Sequence, residues 1–255
     1  MMTNRDKYLF DDFTFENYKR LVNIAICQGF SFIFHKEEFE ESRKDVIWRH
    51  DVEFEPDIAL KMAEIEADLG VKASYFFQVH SPFYNLFDDH YPDVFHRIYE
   101  LGHLVGLHFD SHYWGITDEG QLNKYILFDK SVLEANLGVE LDTFSFHNTT
   151  PFTQSCQSYK YGNLINVYAS FFKEHYDYCG DSLGYWRFDR LEDVLTNPSI
   201  RHLQVLTHDA NWSEKPLSPR NRITTVMRNH AERLISQQVN GLHAKGLLCP
   251  DDNED

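Results

Sequence analysis

Cysteine is scarce in this chain of 255 residues, and the four cysteines stand far apart. No two of them form a CxxC pair, so the sequence contains neither a zinc knuckle nor the closely spaced framework of a disulfide-stabilised secreted domain. We therefore expect reduced thiols in or near the core. The four are Cys27, Cys156, Cys179 and Cys249.

Basic residues are also few relative to acidic ones. Lys and Arg number 24 against 40 Asp and Glu, which gives a formal net charge of −16. This charge repels phosphate backbones and anionic membrane surfaces, so we expect no nucleic-acid partner. The acidic tail 249–255, CPDDNED, is expected to be frayed because it has no apolar residue to anchor it.

Long hydrophobic runs are missing as well. No window approaches the roughly 18 apolar residues of a membrane-spanning helix. The first residues, MMTNRDKYLFDDFTF, contain no apolar segment of the length found in a secretory signal. We expect no membrane span and a cytoplasmic location, and the sequence leaves the oligomeric state open.

The chain does contain enough apolar residues for one large core. The hydrophobic fraction is 42% and the aromatic fraction 15%, and no Gly/Ser/Pro-rich linker divides the sequence. The length suits an α/β barrel that forms a single unit. We predict one domain over residues 1–255, with its core at about 45–240.

Strand-like and helix-like segments alternate along this chain. Pro56 opens a segment with apolar residues at helical spacing that stops at Gly70. The predicted strands are 45–54, 71–79, 103–109, 141–148, 165–172 and 200–208, and the predicted helices are 56–70, 92–102, 118–137 and 220–238. The alternation predicts an α/β fold with a mainly parallel sheet, open or closed into a barrel.

Polar side chains gather where four of the predicted strands end. The segments are HDVE (50–53), HFDSH (108–112), FHN (146–148) and LTH (206–208). Because the carboxyl ends of parallel strands meet at one edge of a sheet, which carries the ligand in α/β folds, we expect these side chains to surround one site.

Two pairs in these segments have spacings that suit a metal site. Asp51 and Glu53, two apart on a strand, project to the same face, so one can bind a cation while the other accepts a proton. His108 and His112, four apart, lie on one face wherever the segment makes a helical turn. Each pair alone is a weak signal, since acidic surface pairs and chance histidine pairs are common.

Taken together, two imidazoles and one carboxylate form a set that leaves coordination positions open for water and substrate, as catalytic zinc sites require. His208 ends a short apolar strand on the same edge. Its ordinary pKa of about 6.5 suits a general acid at neutral pH, although a hydrogen-bonded loop histidine is an equal alternative. His147 and Asp181 are weaker candidates because their spacing fixes no role.

In this order the motifs resemble the polysaccharide deacetylase superfamily (NodB homology, carbohydrate esterase family 4), and more closely a bacterial branch with an RHDVD-like motif. The resemblance covers about residues 45–215 and is carried by HDVE, ELGHLVGLHFDSH and LQVLTH. It implies an irregular (β/α) barrel with one divalent metal ion. The implied reaction is hydrolytic removal of an N-acyl group, usually acetyl, from an amino sugar or glycan precursor.

The resemblance also implies residue roles. His108 and His112 would bind the metal together with Glu53, while Asp51 would act as base and His208 as acid. A reversal that puts Asp51 on the metal in place of Glu53 stays open. Zinc is the expected ion, with Co, Ni, Fe or Mn as alternatives.

Two departures from the family pattern weaken the substrate inference. The usual Arg-Pro motif has no match in SFHNTTP, where His147 is the candidate for its place, and the last motif keeps His208 and Trp212 but lacks a proline. We predict substrate contacts from His147, Asp181, Trp186 and Trp212. A deformylase or small-amide hydrolase, and a catalytically inactive carbohydrate-binding homologue, are the alternative functions.

Overall fold

The structure is a computed structural model that describes residues 2–247, so the predicted frayed tail 249–255 and Cys249 lie outside the described residues. Within this range nine strands form one sheet. They are β1 Ser31–Phe32, β2 Asp45–Val52, β3 Ser74–Phe77, β4 Leu104–Asp110, β5 Thr143–His147, β6 Lys160–Tyr161, β7 Leu164–Asn166, β8 Asp177–Gly180 and β9 His202–His208.

The sheet is curled and mostly parallel. Its strand order is β6-β7-β5-β4-β3-β2-β9-β8, with β1 paired to β2. Among the described strands only the β6–β7 pairing is antiparallel. The predicted α/β class and mainly parallel sheet are therefore confirmed, and the two ends of the described sheet, β6 and β8, leave the barrel open on one side.

Helices connect and cover the strands. They are α1 Asn4–Lys7, α2 Phe15–Cys27, α3 Pro56–Asp68, α4 Tyr91–Glu100, α5 Ser111–Trp114, α6 Glu119–Leu137, α7 Pro151–Ser155, α8 Ser170–His175, α9 Leu191–Thr196 and α10 Pro219–Ala244, with short 3-10 turns at Phe10–Asp12, Ser182–Gly184 and Asp209–Asn211. As predicted, α3 has Pro56 in its first turn, and Gly70 follows it with a φ of 73°. Within residues 2–247, no helix combines the length and apolar character that a membrane crossing requires.

The predicted strand over 165–172 is wrong in its second half. Strand β7 ends at Asn166, and helix α8 follows from Ser170. The buried Asn166 amide donates to the carbonyls of Cys156 and Ser158, and its oxygen accepts from the Tyr168 amide. This local hydrogen bonding by an asparagine competes with the strand ladder and turns the chain.

The two faces of the sheet carry different chemistry. On β2, Val46 and Trp48 point outward into the main hydrophobic core beneath the helices. Ile47, Arg49 and Asp51 alternate with them and point inward. Further down the inner face is a small apolar cluster of Ile33, Ile47, Ile165, Ala169, Phe172 and Tyr176. The inner face thus changes from apolar to charged toward the carboxyl ends of the strands.

The cysteines of the described region are free thiols. Cys156 and Cys179 are buried, as expected, whereas Cys27 at the end of α2 is exposed. None of the three lies in the charged part of the inner face, so the thiols take no part in the site described below.

Candidate metal centre and active site

A cavity of about 920 Å³ opens on the inner face at the carboxyl ends of β2, β4 and β9. Asp51, Glu53, His108, His112 and His208 all line it. Strand register brings them together, because Asp51 on β2 lies directly opposite His208 on β9. The sequence expectation that these strand ends surround one space holds in the structure.

Glu53, His108 and His147 form a tight triangle at this edge. Glu53 Oε1 lies 2.8 Å from His147 Nδ1 and 3.2 Å from His108 Nε2, and the two nitrogens are 3.2 Å apart. A tetrahedral zinc site with bonds of about 2.05 Å has ligand atoms about 3.4 Å from one another. The three atoms are therefore spaced almost as such a site requires, and the group is able to hold a divalent metal ion.

A hydrogen-bonded relay fixes the tautomer of His108. Ser145 Oγ donates to Asp51 Oδ1 at 3.0 Å and lies 2.6 Å from His108 Nδ1. Because the single hydroxyl proton goes to the carboxylate, Ser145 must accept from His108, so the ring proton sits on Nδ1. The Nε2 lone pair then faces Glu53 and His147, which is the state that a metal-binding histidine needs.

The second imidazole and the carboxylate stabilise each other. Burial lowers the pKa of His147, but the hydrogen bond and charge of Glu53 outweigh burial and raise it. Burial raises the pKa of Glu53, yet the hydrogen bond from His147 and the positive charge of His208 hold it well below the ordinary value. Asn148 Nδ2 donates to His147 Nε2 at 2.8 Å. If the Asn148 side-chain amide is rotated by 180°, its oxygen accepts a hydrogen bond from His147 Nε2–H. The ring proton of His147 then sits on Nε2, and Nδ1 is able to bind a metal.

Asp51 lies deeper than Glu53 and is only 2% exposed. Nη1 of Arg49 is 3.4 and 3.5 Å from its two carboxylate oxygens. Burial raises the pKa of Asp51, but the Arg49 guanidinium and the nearby imidazoles outweigh burial and lower it. Asp51 is thus an ionised carboxylate at neutral pH. It borders the cavity beside the triangle of Glu53, His108 and His147.

His208 stands opposite Asp51, with Asp181 behind it. Asp181 Oδ1 is 2.6 Å from His208 Nδ1, and Oδ2 accepts from the His208 backbone amide at 3.1 Å. Burial lowers the pKa of His208, but the charge and hydrogen bond of Asp181 outweigh burial and raise it to about 10. The imidazole is therefore positively charged at neutral pH. Its Nε2 is the nitrogen turned away from Asp181.

Asp209 anchors the chain segment that presents Glu53. This fully buried carboxylate accepts from the backbone amides of Glu53 at 2.9 Å, Phe54 at 3.1 Å and Glu55. It thereby satisfies three donors where β2 has ended and the chain runs into α3.

Replacing Asp209 by alanine is expected to lower the free energy of unfolding by about 3 kcal/mol, because several buried amides would lose their acceptor. Urea unfolding followed by circular dichroism measures the change. Asp209→Asn keeps one acceptor oxygen and should lose less. A loss below about 1 kcal/mol in the alanine variant would contradict the anchoring role.

His112 lies outside the triangle. It belongs to α5, where its imidazole is 52% exposed and its Nδ1 is 3.4 Å from Asp110 Oδ1. The spacing of four aligns two side chains only if the intervening residues are helical, but His108 to Asp110 are still strand. The structure therefore brings His147, predicted as a substrate contact, to the place beside His108 and Glu53.

Trp186 and Trp212 are placed in the core rather than in the cavity wall. Trp212 is 1% exposed and packs against Phe13 and Tyr18. Trp186 donates from Nε1 to Asp12 at 3.1 Å. The prediction that these two rings contact the substrate is therefore wrong, because α2 and the N-terminal segment cover both rings. Asp181, also predicted to touch substrate, instead bonds to His208.

Three residues of the site were missed in the sequence. Arg49 precedes Asp51 by two positions, and Ser145 precedes His147 by two, so the period of two along a strand could have placed both on the inner face. Asp209 directly follows His208, and only the tertiary fold shows that it reaches the amides after β2.

No protein-family model matches the chain, and no curated protein matches it significantly. Several solved structures do match the chain. The peptidoglycan deacetylase PdaC from Bacillus subtilis is 14% identical with a TM-score of 0.46, and the match covers 81% of this chain and 99% of that one. A family 4 carbohydrate esterase from Streptomyces lividans, in complex with acetate, is 17% identical with a TM-score of 0.43, covering 80% and 90%.

A CE4 family pseudoenzyme from Bacillus anthracis is also similar, at 12% identity and a TM-score of 0.41, covering 76% of this chain and 63% of that one. The chain is thus structurally similar to family 4 carbohydrate esterases at low sequence identity.

Proposed function

We propose that the protein is a metal-dependent hydrolase that removes an N-acyl group, acetyl in the first instance, from an amino sugar or glycan precursor. The observation that carries the proposal is the Glu53, His108 and His147 triangle, whose Glu53 and His108 line the same cavity as an ionised Asp51 and a protonated His208. Amide hydrolysis needs an electrophilic centre, a base for water and an acid for the leaving amine, and this cavity offers a candidate for each.

Glu53, His108 and His147 fit a divalent ion, with zinc as the proposed species because a set of two nitrogens and one carboxylate oxygen suits it. When bound, such an ion polarises the acyl carbonyl and lowers the pKa of the attacking water. Ser145 holds the His108 ring so that Nε2 stays available as a ligand.

The protein's own groups would move the protons. Asp51 accepts a proton from the attacking water, since its carboxylate is ionised and Ser145 and Arg49 hold it at the cavity wall. His208, kept protonated by Asp181, donates to the amine nitrogen as the C–N bond breaks. The products are a free amine and a carboxylate. A cytoplasmic location is part of the proposal.

Release of acetate or formate from a panel of N-acyl sugars and small amides tests this function. We expect acetate from an N-acetylated sugar, with activity lost on chelation and restored by zinc. Formate release or turnover of small amides alone would favour the deformylase or small-amide alternative. No release by the zinc-loaded protein, combined with carbohydrate binding, would favour an inactive carbohydrate-binding homologue.

Replacing Asp181 by asparagine is expected to shift the basic limb of the pH profile of kcat/KM to lower pH. His208 must be protonated to act as an acid, so activity falls as pH rises through its pKa. Asp181 raises that pKa to about 10, and loss of its charge moves the pKa back toward the ordinary 6.5. A basic limb that does not move in the variant would exclude His208 as the acid.

A further inference from the structure

Tyr178 lies on β8, at one end of the sheet, and borders the cavity. Its neighbour Cys179 is buried in the main hydrophobic core, so alternation along the strand places Tyr178 and Gly180 on the inner face. Tyr178 is 43% exposed, and its hydroxyl makes no hydrogen bond to another described residue. The hydroxyl is therefore a polar group at the cavity wall that is available to a ligand.

Gly180 makes room for the Tyr178 ring. A Cβ atom at Gly180 would lie 2.6 Å from Tyr178 Oη and 3.1 Å from Cζ, and the three nearest atoms all belong to Tyr178. Gly180 does not adopt the left-handed backbone conformation, so the backbone itself does not require a glycine here. A glycine inside a strand weakens the strand and often marks a close approach of another group. The glycine thus allows the Tyr178 ring to lie along β8 toward the carboxyl end of the strand.

The Tyr178 hydroxyl lies near the proposed acid His208. Gly180, over which the hydroxyl lies, pairs with Leu206 on β9, and His208 is two residues further along that strand. A strand spacing of about 4.8 Å and a rise of about 3.3 Å per residue put Gly180 and His208 about 8 Å apart. In the strand order, β9 separates β8 from β2, the strand that leads to Glu53. Tyr178 therefore lies on the side of the cavity to which the leaving amine belongs.

We propose that the Tyr178 hydroxyl binds a substrate hydroxyl on a carbon next to the one that bears the N-acyl group. The inference rests on the proposed hydrolase function and narrows its substrate class to N-acylated vicinal amino alcohols, as in amino sugars, rather than simple amides. His208 donates to the amine nitrogen, so a hydroxyl on a neighbouring carbon lies on the same side of the cavity as Tyr178. A tyrosine hydroxyl both donates and accepts, and therefore suits a hydroxyl partner.

Acetate release by Tyr178→Phe from N-acetylglucosamine and from its 1-deoxy and 3-deoxy analogues tests this contact. We expect kcat/KM for N-acetylglucosamine to fall about tenfold, because one hydrogen bond to the substrate is lost. For the wild type, the analogue that lacks the contacted hydroxyl should be about tenfold poorer, and Tyr178→Phe should lower its kcat/KM no further. Zinc affinity should be unchanged. Tyr99→Phe, at an exposed tyrosine on α4, is the matched control and should equal the wild type on all three sugars.

Gly180→Ala is an independent test, because the added methyl group displaces the Tyr178 hydroxyl without removing it. We expect a similar loss for N-acetylglucosamine, and Tyr178→Phe added to Gly180→Ala should cost no more than about twofold further. An unchanged kcat/KM in either single variant overturns the inference, as do equal losses on N-acetylglucosamine and on both analogues, while the hydrolase function stands. No acetate release by the zinc-loaded wild type overturns the proposed function and this inference with it.

Discussion

Asp51→Asn is expected to lower kcat by about 10²–10⁴-fold, because an amide cannot take the proton of the attacking water. Bound zinc should stay at wild-type stoichiometry, since the Asp51 oxygens contact Ser145 and Arg49 and lie outside the Glu53 group. The two measurements are the rate of acetate release and the metal content of the purified variant. Circular dichroism must accompany them, because Arg49 loses its counter-charge.

Asp177→Asn is a suitable control for this substitution. Asp177 is an exposed carboxylate at the start of β8, the end of the strand away from the site. We expect wild-type turnover from it. Loss of zinc from Asp51→Asn would instead mean that Asp51 is the carboxylate ligand and that the roles of Asp51 and Glu53 must be exchanged.

Glu53→Gln and His108→Ala are expected to weaken zinc binding more than about 100-fold and to abolish acetate release in parallel. Removal of a direct ligand should cost more than the 10–100-fold typical of losing a residue that only supports one. Competition with a chromophoric chelator measures the affinity. His175→Ala, an exposed histidine on α8, is the control and should keep full affinity. Wild-type zinc occupancy in both ligand variants would rule out the site.

Much of the fold could be predicted from periodicity and stop signals. The segment from Pro56 to Gly70 shows why: a proline that fits the first turn, apolar residues at helical spacing and a glycine that takes a positive φ all act locally. The strand predicted over 165–172 was wrong because a buried asparagine side chain redirects the backbone there. Nothing in its apolar neighbours reveals that the side chain is buried.

The candidate site could be predicted only in part, for a related reason. Strand ends supplied Asp51, Glu53, His108 and His208, since parallel strands bring their carboxyl ends together. The partner of His108 was harder to predict, because a spacing of four has meaning only within one regular element. The backbone changes from strand to helix after Asp110, and His147 reaches the group from the neighbouring strand β5.

The positions of the two carboxylates within the cavity could not be predicted from the sequence pattern either. Asp51 and Glu53 share a face, but nothing local tells which one borders the imidazoles and which one lies beneath. Side chains from other strands decide this: Ser145 draws Asp51 into its relay, while Asp209 anchors the backbone that projects Glu53. Such choices depend on register between strands far apart in the chain.

Zinc titration of His147→Ala beside His112→Ala shows which of the two histidines binds the metal together with Glu53 and His108. The two variants remove one imidazole each, and both residues stand at the same edge of the sheet. The geometry of the Glu53, His108 and His147 triangle predicts that His147→Ala loses stoichiometric zinc binding while His112→Ala keeps it. Zinc binding that is retained by His147→Ala and lost from His112→Ala would contradict this assignment. It would mean that His108 and His112 bind the metal.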